Sequence, residues 1–92
     1  MALNSLGNAL RQVRRFDEAI TAHQQAGDIY RETGDRHGEG MALGNLGLAL
    51  RNTGCIAEAR RCWVQAAEAF ADSGSAEEVA AIRALLDRTP AT

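Results

Sequence analysis

Leu3, Leu6, Gly7 and Leu10 fall at the i, i+3, i+4, i+7 positions of one helical stripe, and the stripe returns 40 residues later at Leu43, Leu46, Gly47 and Leu50. A second stripe follows each of these: Phe16, Ala19, Ile20, His23, Ala26 and Tyr30 in the first copy, and Ile56, Ala59, Cys62, Trp63, Ala66 and Phe70 in the second. The same 40-residue offset pairs Arg11 with Arg51, Glu18 with Glu58, Gln25 with Gln65 and Gly34 with Gly74. A fixed period of roughly 20 to 50 residues marks stacked supersecondary units. The pattern therefore predicts an all-α chain of two helical hairpins, each with a helix A and a helix B.

Turn and cap signals set the boundaries. The first helix A runs from Ala2 to about Val13. Arg14 and Arg15 form a turn, and Asp17 and Glu18 then sit in a first turn of helix B, where the helix dipole favours acidic groups. Gly34 is placed to stop that helix in a left-handed conformation. The glycines of the Gly34–Gly40 segment predict a turn, with the second helix A starting between Asp35 and Gly38 and ending at Thr53 before Gly54. Its helix B ends before Gly74. Ser75-x-x-Glu78 has capping-box spacing and opens a fifth helix, Ala76 to Arg88, in which the Leu-x-x-Leu-Gly pattern is absent. This last helix is expected to cap the stack, and Thr89–Thr92 to fray. The predicted organisation is one domain over 1–92, with repeat one at 2–34, repeat two at 36–74 and the capping helix at 76–88. Gly7 and Gly47 lie inside their stripes, where glycine costs about 1 kcal/mol relative to alanine. A neighbouring helix must approach at those points.

Composition agrees with helices and narrows the chemistry. Only 4% of residues are aromatic and there is one proline, against 46% hydrophobic residues rich in Ala and Leu. The formal charge is −2 with the two signs interspersed, which disfavours a nucleic-acid partner. No apolar run approaches the ~20 residues a bilayer requires, so a membrane partner is not expected and a cytoplasmic location is. Cys55 and Cys62, about 10 Å apart along one helix, read as free thiols.

The run Leu3, Leu6, Gly7, Leu10, Ala19, His23, Ala26 and its echo Leu43, Leu46, Gly47, Leu50, Ala59, Trp63, Ala66 closely resemble the tetratricopeptide (TPR) repeat. The resemblance covers about Ala2 to Gly74. It implies an α-α superhelix in which Gly and Ala let helix A lie against helix B, and in which the residue at His23 or Trp63 fills the gap between units. The 40-residue spacing looks like the longer-repeat branch that includes kinesin light chains and cell-polarity adaptors. The phrases RETGDRHGEG and ALGNLGLALR look like the C-terminal arrays of large actinobacterial regulators. The proline that often closes helix B is absent, and His23 replaces the usual aromatic. Two units and a cap fall short of the ~3 repeats that usually bury a continuous core. Either the segment belongs to a longer array, or the first hairpin's outer face is covered by another chain.

In this family the concave wall is lined by helix A, which implies a peptide- or partner-binding surface at Asn4, Ser5, Asn8, Arg11 and Gln12 in the first copy and Asn45, Leu48, Arg51 and Asn52 in the second. Carboxamides donate and accept at once, suiting the backbone of an extended peptide, and the arginines could hold acidic side chains. Asn8 and Asn45 match two asparagines of the clamp that grips chaperone tails. Its basic partners are missing, with Asn4 where a lysine is expected and Ala81 and Leu85 on the cap, so chaperone-tail binding is disfavoured. The bland alternative is a solvated helix face. A further alternative is self-association, pairing chains into a homodimer through Leu3, Leu6, Leu10 and the outer side of helix B.

Catalysis, metal and cofactor are not expected. His23, His37, Cys55 and Cys62 form no close ligand pair, and His23 is better explained as gap filling. Asp17-Glu18 and Glu77-Glu78 suit helix starts, and the glycines near residue 38 lack the strand before and the Lys-Ser/Thr after that a phosphate loop needs. The expectation is a non-enzymatic interaction module.

Overall fold

The computed structural model describes residues 15–91, and the predicted first helix A lies outside them. Four helices follow one another: α1 (Phe16–Thr33), α2 (Arg36–Asn52), α3 (Ile56–Asp72) and α4 (Ala76–Arg88). Among the described residues there is no strand.

The helices begin and end on local chemistry. Asp17 and Glu18 occupy the first turn of α1, and Glu18 also pairs with Arg15 at 2.8 Å. The Asp35 carboxylate accepts from the Gly38 amide at 2.8 Å and caps α2. The three interhelical turns share one geometry. Gly34, Gly54 and Gly74 have φ of 76°, 86° and 75°, a left-handed conformation that a Cβ would strain. In each turn the next amide reaches back over the glycine, Asp35 to the Tyr30 carbonyl, Cys55 to Leu50 and Ser75 to Phe70, all at 2.9 Å.

Each helix packs on the next, and α2 is the rod on which the others converge. Gly27 meets Ala42 and Gly38 meets Tyr30, so α2 runs antiparallel to α1. Gly40 meets Phe70 and Gly47 meets Trp63, so α3 reverses direction again. The core gathers Leu43, Leu46 and Leu50 of α2, Ala59, Trp63, Ala66 and Phe70 of α3, and Ile82 of α4. Trp63 is 0% exposed, and its Nε1 donates to the Gly44 carbonyl at 3.1 Å. A Cβ on Gly47 would lie 2.3 Å from that nitrogen. Burying an indole of this size stabilises by a few kcal/mol, on the order of 25 cal/mol per Å² of apolar surface, which outweighs the ~1 kcal/mol that helical glycine costs.

Three local expectations are corrected. Gly38 and Gly40 are not turn residues; both are buried inside α2, where they admit the Tyr30 and Phe70 rings. The capping box does not form, because the Ser75 hydroxyl pairs with Ser73 at 2.8 Å and no side chain caps α4. The tail does not fray from Thr89, which is buried: Arg60 of α3 donates to the Thr89 carbonyl and, at 2.8 Å, to that of Leu86. An arginine from a neighbouring helix thus satisfies the last carbonyls of α4.

The α2 glycines differ in how far their neighbours can yield. Trp63 is fully buried, whereas the Tyr30 ring over Gly38 is only partly buried. Gly47→Ala is therefore expected to lose about 1–2 kcal/mol net, overpacking outweighing the gain in helix propensity. Gly38→Ala should stay within about 1 kcal/mol of the parent. Urea unfolding of both variants checks this, and the reverse order would refute the packing account.

Candidate binding groove

Because α2 and α4 both run antiparallel to α3, they lie side by side on one face of it, and the seam between them is a groove of about 220 Å³. Small residues shape it. Gly40 admits the buried Phe70 ring, Gly44 the end of the buried Ile82 (a Cβ there would stand 3.2 Å from Cδ1), and Ala81 adds little bulk from the α4 side. Met41, Leu48 and Leu85 form the walls, and Met41 is 42% exposed although flanked by core. The lining is apolar except for Asn45 and Glu78. A larger concavity of about 600 Å³ lies along Ala76, Ala80, Arg83 and Asp87 on another face of α4, but Val79 is the only sizeable apolar side chain in its wall.

The sequence-predicted residues are distributed unevenly around this groove. Asn4, Ser5, Asn8, Arg11 and Gln12 lie outside the described residues. Asn45 and Leu48 line the groove together, facing Ala81 and Leu85 of α4. Arg51 stands elsewhere, its guanidinium 5.8 Å from the centre of the Trp63 ring, a cation–π contact that shields the indole. Asn52 is exposed in the last turn of α2. Sequence reasoning did not assign Met41 or Glu78 to this groove. Phe70, read into the helix B stripe, is buried, and Glu78 had been given to a capping box that does not form. The available signal was Gly44, an i+4 companion of Gly40 that does not fall on the Leu-Leu-Gly stripe.

One end of the groove is braced by charge. Glu39 is buried and accepts from Arg36 Nη1 at 2.7 Å and from Arg31 Nε at 3.3 Å, while Arg36 Nε and Nη2 reach Asp72 at 3.1 and 2.8 Å. The bonds to Glu39 first, and then to Asp72, raise the Arg36 pKa and hold it charged. This network joins the end of α1, the start of α2 and the end of α3. His37 lies beside it, its ring edge-on to Phe70 at 5.5 Å.

The two thiols differ in environment. Cys55 is exposed at the start of α3, and Cys62 is half-buried against the core. Burial, and secondarily the charge of Glu58, push the Cys62 thiol up against a smaller opposing effect of Arg61, so it stays protonated at neutral pH. Among the described residues no three His, Cys, Asp or Glu side chains gather as metal ligands, and no helix is long and apolar enough to cross a membrane.

This geometry, helices nested through small residues around a bare seam, is that of a helical-repeat interaction scaffold. A family model described as tetratricopeptide repeat matches residues 1–71, and the chain belongs to that family. No curated protein and no solved structure matches it significantly. Tetratricopeptide repeats are in general non-catalytic modules of protein–protein interaction, so a protein partner is the class of ligand that membership brings.

Under native conditions a thiol reagent should modify Cys55 quickly and Cys62 only slowly, as a two-phase absorbance trace would show. The raised Cys62 pKa also fixes a sign. Its contribution to stability is complete below the ordinary thiol range and is lost as pH rises through the folded-state value, because the unfolded chain ionises first. Cys62→Ala should accordingly flatten the alkaline limb of the stability curve; an unchanged limb would contradict the assignment.

Proposed function

We propose that this chain is a protein-binding module, two helical hairpins and a capping α4, that takes an extended segment of a partner protein along the α2 face. The observation that carries the proposal is the groove itself: Gly40 and Gly44 leave a hollow floored by the buried Phe70 and Ile82 and walled by the exposed Met41 and the partly buried Leu48 and Leu85. Its 220 Å³ falls below the ~300–1,000 Å³ of small-molecule sites, so it suits one inserted side chain better than a cofactor.

The polar helix A residues of the first copy, Asn4, Ser5, Asn8, Arg11 and Gln12, would continue the track, with Arg51 and Asn52 at its far edge. The free thiols Cys55 and Cys62 fit a reducing, cytoplasmic setting. The resemblance to the arrays of actinobacterial regulators favours a place within a larger regulatory protein.

Selection of a random peptide library on the folded chain tests the reading. Selected peptides should share a bulky apolar residue and bind a Leu48→Glu variant at least tenfold more weakly, a loss of about 1.4 kcal/mol. Circular dichroism should show the variant to be as helical as the parent. Peptides that bind the folded variant equally well, or a selection that yields none, would remove the groove from consideration.

A further inference from the structure

The groove has a charge as well as a shape. Of its lining residues among those described, only Glu78 is ionisable. Glu78 is half-buried and takes part in no hydrogen bond or ion pair, unlike Glu39, whose carboxylate is held by two arginines. Among the described residues no cationic side chain pairs with it. Arg36 is committed to Glu39 and Asp72, Arg51 stands over Trp63, and Arg83 lines the concavity on another face of α4. The seat for an apolar side chain is therefore flanked by one carboxylate that no cationic side chain among the described residues pairs with.

Resting on the groove reading above, we infer that the partner segment pairs a bulky aliphatic side chain, leucine or methionine, with an adjacent arginine or lysine. The aliphatic group fills the hollow over Phe70 and Ile82, while the neighbouring cation meets Glu78 on the α4 rim. An acidic segment is excluded by the same geometry, since its carboxylate would be brought against Glu78 with no cation in the lining to offset it. This reverses the preference that the arginines of the helix A faces suggest from sequence.

Two synthetic peptides separate the possibilities: acetyl-Gly-Ser-Arg-Leu-Arg-Ser-Gly-amide and its counterpart with both arginines replaced by glutamate. Each is titrated into the ¹⁵N-labelled chain to millimolar concentration, following the amides of Gly44, Asn45 and Leu48. The pH is held at 8, above the range in which histidine carries charge. At low salt the arginine peptide should bind about fivefold or more tighter, the scale of an exposed ion pair replacing a repulsion. The preference should shrink at 0.5 M salt. It should vanish in Glu78→Gln and invert in Glu78→Arg, each checked to be as helical as the parent by circular dichroism. Equal binding of the two peptides, with both lost in Leu48→Glu, would overturn the charge inference and leave the groove standing. If neither peptide perturbs the groove amides, both fall together.

Discussion

Trp63 rests on bare backbone. Its indole covers α2 where Gly47 has no side chain, and its Nε1 reaches the Gly44 carbonyl one turn earlier. The contact needs a large planar group on α3 and an absent one on α2, and it fixes both the separation of the helices and their register. Phe70 over Gly40 repeats the arrangement two turns away, so α2 and α3 are matched along most of their length. Arg51 closes the outer side of the indole and leaves Trp63 fully buried.

The groove is a by-product of the same economy of side chains. α2 packs against α1 through Gly38 and Ala42, against α3 through Gly40 and Gly47, and against α4 at Gly44. A helix surrounded in this way has little bulk left to fill its own seams. What remains uncovered lies between α2 and α4, where no further helix lies over the seam among the described residues. Rigidity there comes from the rims: the Arg31–Glu39–Arg36–Asp72 network ties three helix ends together, and Arg60 holds the last carbonyls of α4. Preorganised walls reduce the ordering cost of taking up a partner segment.

Much of the fold was legible because it depends on residues whose absence of bulk is itself a signal. Leu43, Leu46 and Leu50 announced the buried stripe, Gly47 its close contact, and Gly34, Gly54 and Gly74 the turns. Sequence reading misjudged cases where one residue type serves two purposes. Gly38 and Gly40 sit next to a true turn glycine and looked like part of it, yet they admit rings from opposite neighbours. Ser75 and Glu78 had the spacing of a reciprocal cap, but Ser73 competes for the hydroxyl. Of the second-copy surface residues, Asn45 and Leu48 line the groove and Arg51 turns to Trp63 instead. A helical wheel cannot foresee this, since stacking on an indole and pointing to solvent differ by one rotamer.

The turns at Gly34, Gly54 and Gly74 recur every 20 residues with one backbone geometry and one reach-back hydrogen bond. They are interchangeable joints. A crossover in the coding sequence between Gly34 and Gly74, two joints apart, would add or remove a whole hairpin without altering the local chemistry at the splice, so descendants of this chain can change length more readily than they can change the tilt between neighbouring rods.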